Sequence, residues 1–304
     1  MISGSQWILY GGEELEIEGI RLQNWSGDQS RKAVASHLVK GLSKRAMISC
    51  LWINDLEVDS ITRRTEGERM WVLLKQACNE MRQYDQDKVF NGYSRCSAAS
   101  DLAAALSCCL PNLSKEQQSD AFRAWAKAVK SIVDNVWPGM SDNQFRSYQR
   151  MLWFWMDNHL AMVDCADEAE SAAQEYVRLC RSRATAGRAD DLQKQELARA
   201  LYWHAWIATV PWRRSLDAGQ KLDRELQRQW KDLALQLREA DSILSQLPYN
   251  SSCLGLRCEI RSSWIVDESR FGDQARQVLE ESMDVFRDSP KHLDKIRELA
   301  DFLP

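Results

Sequence analysis

The most continuous apolar stretch of the chain lies near its middle, in RMLWFWMDNHLAMVD, Arg150 to Asp164. Apolar side chains there fall on almost every face of a helix, so the pattern predicts a helix surrounded by neighbours. RALYWHAWIATV, Arg199 to Val210, reads as a second copy, and RCEIRSSWIVDE, Arg257 to Glu268, as a third. Aligned on the arginine, Leu152, Leu201 and Glu259 share a column, Trp153, Tyr202 and Ile260 the next, and Asp157, Trp206 and Trp264 close the block. A spacing of roughly 50–60 residues lies inside or just past the range in which repeats mean stacked helical pairs.

The flanking pattern is helical as well. Met70, Leu73, Leu74, Ala77 and Met81 recur at helical spacing in a segment starting near Glu66. Residues 84–96 read as a connection, and Leu102, Leu106 and Leu110 mark a short helix stopped by Pro111. Ser114 with Gln117, and Ser141 with Gln144, have the spacing of capping boxes and open the next two helices. An alanine-rich helix follows from Ala166 to Cys180, then the second tryptophan-bearing helix, which is expected to stop at Pro211. Trp230, Leu233, Leu237, Ala240 and Leu244 stay in register between Leu222 and Leu247, and Ser289-Pro290 opens the last helix. Two stretches differ. Residues 6–22 alternate apolar and polar around Gly11-Gly12, which fits a β-hairpin. The run AMISCLWI, Ala46 to Ile53, is short and continuous, so a buried strand and a core helix fit it equally.

SRFGDQARQVLEESMDVFRDSP, 269–290, resembles the end of a tetratricopeptide repeat, with Gly-Asp after a first helix, an alanine early in the second and a closing proline. ARALYWHAWI resembles the first helix of such a repeat. The spacing here is longer than the family's, and the first copy lacks most of its signature positions. The resemblance implies a mostly α fold, an α-solenoid of antiparallel helix pairs over residues 93–304. It also implies a peptide or protein partner held in a concave groove. Residues 1–92 are then a separate N-terminal region, with the hairpin at 6–22.

Composition narrows this further. The chain has 304 residues, 44% hydrophobic and 28% charged, which is the balance of a folded protein. A net charge of −4 disfavours general binding to nucleic acid or anionic membrane, because phosphate contacts need surplus Lys and Arg. Thirteen tryptophans suit helix–helix seams and binding surfaces alike. The nine cysteines are odd in number and form no CxxC, which points to reduced thiols and a cytoplasmic setting. No secretory leader is expected from the first residues, nor any membrane span from the apolar runs.

The candidate chemistry is sparse. Asp157, His159 and Asp164 sit close together on the central helix and could be a general base or metal ligands; ordinary polar residues on a helix are the simpler explanation. Asp157-Asn158 brings to mind the aspartate-rich helix of class I terpene cyclases, but MDNHLAMVD is not DDxxD, and Asn250 to Glu259 lacks that family's second motif. His37, His159, His204 and His292 form no HExxH, Cys253 and Cys258 have no matching second pair, and SRATAGRAD lacks the lysine of a phosphate loop. No cofactor or metal is expected.

The arginine column remains. Arg150, Arg199 and Arg257, with Arg261, would form a ladder along stacked repeats beside Trp153 and Trp203, able to clamp carboxylates of a bound chain. The competing reading pairs each arginine with an acid of the neighbouring helix and lays it over an aromatic ring. Trp212-Arg213-Arg214 is a separate, exposed-looking knot. The expectation is a non-enzymatic scaffold or regulatory adaptor that contacts a protein or peptide through Arg150, Trp153, Arg199, Trp203, Arg257 and Arg261. The alternatives are an all-helical enzyme with an aromatic cavity, and a single-strand RNA binder using Arg and Trp.

Overall fold

The computed structural model describes residues 28–54, 59–86, 92–134, 141–162, 166–185, 190–248 and 250–303. The hairpin expected at 6–22 lies outside them. The described residues form eleven α-helices and no strand. They fall into two compact units, Met1–Ala161 and Met162–Pro304. The first holds α1 (Asp28–Ile53), α2 (Ser60–Gln86), α3 (Gly92–Cys109), α4 (Lys115–Asp134) and α5 (Asp142–Ala161). The second holds α6 (Ala166–Thr185), α7 (Asp191–Asp217), α8 (Arg224–Ser245), α9 (Ser251–Phe271), α10 (Ala275–Val285) and α11 (Pro290–Glu298). The boundary expected between residues 92 and 93 falls at the start of α3, within the first unit. Among the described residues no helix is long and apolar enough to cross a membrane.

Helix starts follow local chemistry. Both capping boxes are closed: the Ser114 and Ser141 amides donate to Gln117 and Gln144 Oε1 at 3.1 and 2.8 Å, and the glutamine amides donate back to the serine hydroxyls. Asp190, Asp223 and Asn250 cap α7, α8 and α9 by accepting from the third residue on. α2 starts earlier than Glu66 because the Asp59 carboxylate accepts from the amides of Ile61 and Thr62. Residues 84–96 are less of a connection than their polarity suggests: α2 runs on to Gln86, and α3 has begun by Gly92. α3 ends at Cys109, just before Pro111, which sits in a 3-10 turn, Leu110–Asn112.

In the first unit α1, α3 and α5 run side by side in the same direction. Cys50 of α1 meets Cys108 of α3, while Asp101 and Ser107 of α3 meet Arg150 and Asp157 of α5. α4 lies antiparallel to α5: the Tyr148 hydroxyl donates to the Val133 carbonyl at one end, and Phe122 packs on His159 at the other. The run Ala46 to Ile53 is the end of α1. Its ambiguity has a physical cause, since Ala46, Cys50 and Ile53 are buried while Ile48, Leu51 and Trp52 are equally apolar and exposed. With both faces apolar, the helical period is invisible.

In the second unit helices alternate in direction. α6 and α7 are antiparallel, Tyr176 stacking on Trp203 with ring centroids 5.5 Å apart, and Ala169, Ala172 and Ala173 are the small buried residues that let α6 pack closely. α7 and α9 are parallel, tied by Gln195 to Ser252 at one end and Arg213 to Asp267 at the other. α6 and α8 are joined by Arg181 and Glu239. The partners in these ties are 54–58 residues apart in sequence.

α7 does not stop at Pro211; it continues to Asp217 with the proline inside. Proline supplies no N–H to the Ile207 carbonyl and crowds it, a cost of about 3 kcal/mol in a helix interior. Two contacts hold the last turns in place. Trp212 packs edge-on against Phe271, and Arg213 makes a two-point bond to Asp267. One turn earlier the Thr209 hydroxyl donates to the Ala205 and Trp206 carbonyls.

Candidate functional site

The third tryptophan-bearing helix, α9, carries the densest polar network. Asp241 of α8 accepts four N–H bonds: Arg257 Nε and a terminal nitrogen at 2.7 and 3.2 Å, and Arg261 Nε and a terminal nitrogen at 2.9 and 2.5 Å. Arg261 spends a further N–H on Ser282 of α10, which passes its proton to the Val278 carbonyl. Burial works against the Asp241 charge, but hydrogen bonds from Arg261 and Arg257 outweigh it and hold the carboxyl below its ordinary pKa. Arg257 and Arg261 are therefore occupied inside the protein by one carboxylate on the neighbouring helix.

The other column members lie on different helices. Arg150 belongs to the first unit, where it lies 3.6 Å from Asp101 and over the Phe154 ring. Arg199 is half-buried beside α6. There burial pushes the Tyr176 phenol well up, the Cys180 thiol and Glu196 adding to the shift and Arg199 pulling it back. Trp203 covers Tyr176, and Trp153 is half-buried on α5. Arg150, Arg257 and Arg261 thus each lie against an acid of a neighbouring helix. Arg213 of the exposed-looking knot is likewise spent on Asp267, whose carboxyl burial still pushes up against the pull of Arg213 and Thr209.

Glu268, next to Asp267, was not singled out by its sequence context. Its Oε2 accepts from the buried Trp230 indole at 2.8 Å, and its Oε1 accepts from the Asp273 and Gln274 amides at the start of α10. The Phe271-Gly272-Asp273 stretch thus encloses a buried carboxylate. The signal was the glycine, although the acid it serves lies four residues before it.

The central histidine sits in an aromatic box. His159 is 3% exposed and boxed by Trp155, Phe122 and Trp125, with ring centroids 4.1, 4.9 and 5.6 Å away. Its Nδ1 donates to the Trp155 carbonyl at 2.8 Å, which fixes the tautomer. Asp157 points elsewhere and accepts from the Ser107 hydroxyl at 3.0 Å. Asp164 lies outside the described residues. Among the described residues no three His, Cys, Asp or Glu side chains gather as a metal ligand set.

What the first unit does present is apolar surface. Ile48, Leu51 and Trp52 follow helical spacing on α1 and are 44%, 66% and 58% exposed. Ile61 and Val72 on α2 are exposed too, so five of the seven exposed large hydrophobic residues among those described lie on the α1–α2 hairpin. Beside it is an open groove of about 1020 Å³ between the end of α1, the first half of α2, the 3-10 turn and the start of α4. Ile53, Arg63, Trp71, Asn112 and Asp120 line it. Lys75 lies 4.4 Å over the Trp71 ring and pairs with Asp120 at 3.5 Å, Arg64 pairs with Glu68 at 3.3 Å, and Arg63 stands exposed on the wall. Such a surface offers area and a guanidinium to an extended or helical segment. No family model, curated protein or solved structure matches the chain.

Proposed function

We propose that the chain is a non-enzymatic interaction scaffold whose partner, a protein or peptide with an apolar face, is taken up on the α1–α2 hairpin. The exposed row Ile48, Leu51 and Trp52 carries this reading. Exposed apolar residues gathered on one element mark contact sites on folded proteins, and burying each is worth about 1.5–3 kcal/mol. A tryptophan in such a row is the residue type that dominates interface energies. In this reading each unit is a short stack of helix pairs, similar to tetratricopeptide repeats. The support is the alternation of helix direction, the ties between helices two apart, and the glycine–aspartate turn before α10. The arginine column then serves the stack, tying helix to helix, and the partner contacts fall on the hairpin.

The test compares binding by the intact chain and by its Leu51→Asp/Trp52→Asp variant, with circular dichroism as a control for folding. Partners captured by the wild type should drop at least tenfold with the folded variant. Equal recovery of every partner would overturn the assignment.

A further inference from the structure

We propose that Cys50 and Cys108 form an oxidisable dithiol, closed to an intrachain disulfide by a low-molecular-weight disulfide such as glutathione disulfide. Cys50 lies in the last turn of α1 and Cys108 in the last turn of α3. Their sulfurs are 3.4 Å apart across 58 residues of chain, and the Cys108 thiol donates to Cys50. The Cys50 thiol donates in turn to the Cys108 carbonyl at 3.2 Å, so both side chains already face each other. A bond length of about 2.05 Å requires the sulfurs to close by about 1.4 Å, within reach of side-chain torsion at two helix ends.

The two thiols have different access. Cys50 is fully buried, whereas Cys108 is half-buried and meets a reagent first. Asn112, whose amide donates to Cys50 Sγ at 3.3 Å, also lines the open groove, which brings solvent within one side chain of the pair. The third thiol nearby, Cys109, is buried, donates to the Ala46 carbonyl at 3.5 Å and also touches the Cys50 thiol, but it is the less accessible of the two neighbours of Cys50. The step balances as ordinary exchange. The Cys108 thiol gives its proton to solvent, and its sulfur attacks one sulfur of the small disulfide. This forms a mixed disulfide and expels one small thiolate. Cys50, deprotonated in turn, attacks the Cys108 sulfur and expels the second small thiolate. Two protein thiols are oxidised and one small disulfide is reduced to two thiols, which take up the two protons. The product staples α1 to α3 on the face of α1 opposite Leu51 and Trp52, and the inference stands on this geometry whether or not that row binds a partner.

The intact chain, incubated with glutathione disulfide, acid-quenched, alkylated and digested, should yield a Cys50–Cys108 cross-linked peptide pair that has lost two hydrogens. Burial pushes the Cys108 thiol up to about 11, with Cys50 adding to the shift. The link should therefore form about tenfold faster per pH unit between about pH 7 and 10, because the thiolate is the nucleophile. Cys109→Ser should keep the link and Cys108→Ser should abolish it. Linkage of Cys109 instead, accumulation of Cys108 only as the glutathione mixed disulfide, or an unchanged wild-type mass while the fold persists by circular dichroism would each overturn the proposal, and the wild-type mapping needs no variant to fold.

Discussion

The carboxylate of Glu268 occupies the space that a side chain at position 272 would need. A Cβ built on Gly272 falls 1.9 Å from Glu268 Oε1 and 2.4 Å from its carboxyl carbon. The backbone there has φ −119°, so the demand for glycine is steric and not conformational. Gly272→Ala must push the carboxylate off both the Trp230 indole and the two amides that open α10. A loss of about 2–4 kcal/mol is expected in urea unfolding, the cost of leaving buried polar groups unpaired. The double variant Gly272→Ala/Glu268→Ala should be less destabilised than the sum of its singles, because both remove one network.

Asp241 should give a pH signature. Its folded-state pKa is depressed, so it contributes stability that is present above the unfolded value of about 4 and is lost as pH falls through the lower folded value. Asp241→Asn should cost about 3–5 kcal/mol at pH 7, leaving Arg261 buried without its counter-charge. The gap between wild type and variant should narrow below about pH 4, as measured by thermal melts across pH.

Asp267 has the opposite sign. Burial raises its pKa, so ionisation weighs against folding as pH rises above its unfolded value and the penalty disappears on acidification. Arg213 is also less buried than Arg261, with 21% of its side chain exposed against 8%, and can turn to water when unpaired. Asp267→Asn is expected to cost less at pH 7 than Asp241→Asn in the same melts.

Two tryptophans should behave oppositely. Trp125 is fully buried against Trp155, and truncating it to alanine should cost about 3–5 kcal/mol. Trp52→Ala should change stability by no more than about 0.5 kcal/mol, since more than half of that side chain faces solvent.

Pro211→Ala restores an N–H opposite the Ile207 carbonyl in a helix that is already continuous. A gain of about 1–2 kcal/mol is expected by denaturation, below the full helix-interior penalty because the unfolded chain also gains freedom. A loss instead would mean that the proline sets the angle at which Arg213 reaches Asp267.

Helix class and most helix starts were legible in the chain because they are local. Ser114 with Gln117 and Ser141 with Gln144 need only three-residue geometry, and the stripe through Trp230, Leu233 and Leu237 needs only the helical period. Pro211 misled because the contacts that carry the helix past it, Trp212 on Phe271 and Arg213 on Asp267, come from α9, more than fifty residues away. The arginine column was visible as a repeat, but that Arg257 and Arg261 meet one acid depends on Asp241, on a different helix. Neither the α1 row nor the Cys50–Cys108 approach had a local signature. An exposed Leu51 and a buried Cys50 are adjacent in the chain and differ only in what α3 covers.

The ties from α6 to α8 and from α7 to α9 also bear on how the second unit comes into being. Each closes a span of 54–58 residues between helices two apart, so the ordering entropy is met stepwise as successive helices dock. During synthesis α6 and the part of α7 before Pro211 can pair before α9 has left the ribosome, while the turns beyond Pro211 wait for Asp267 and Phe271.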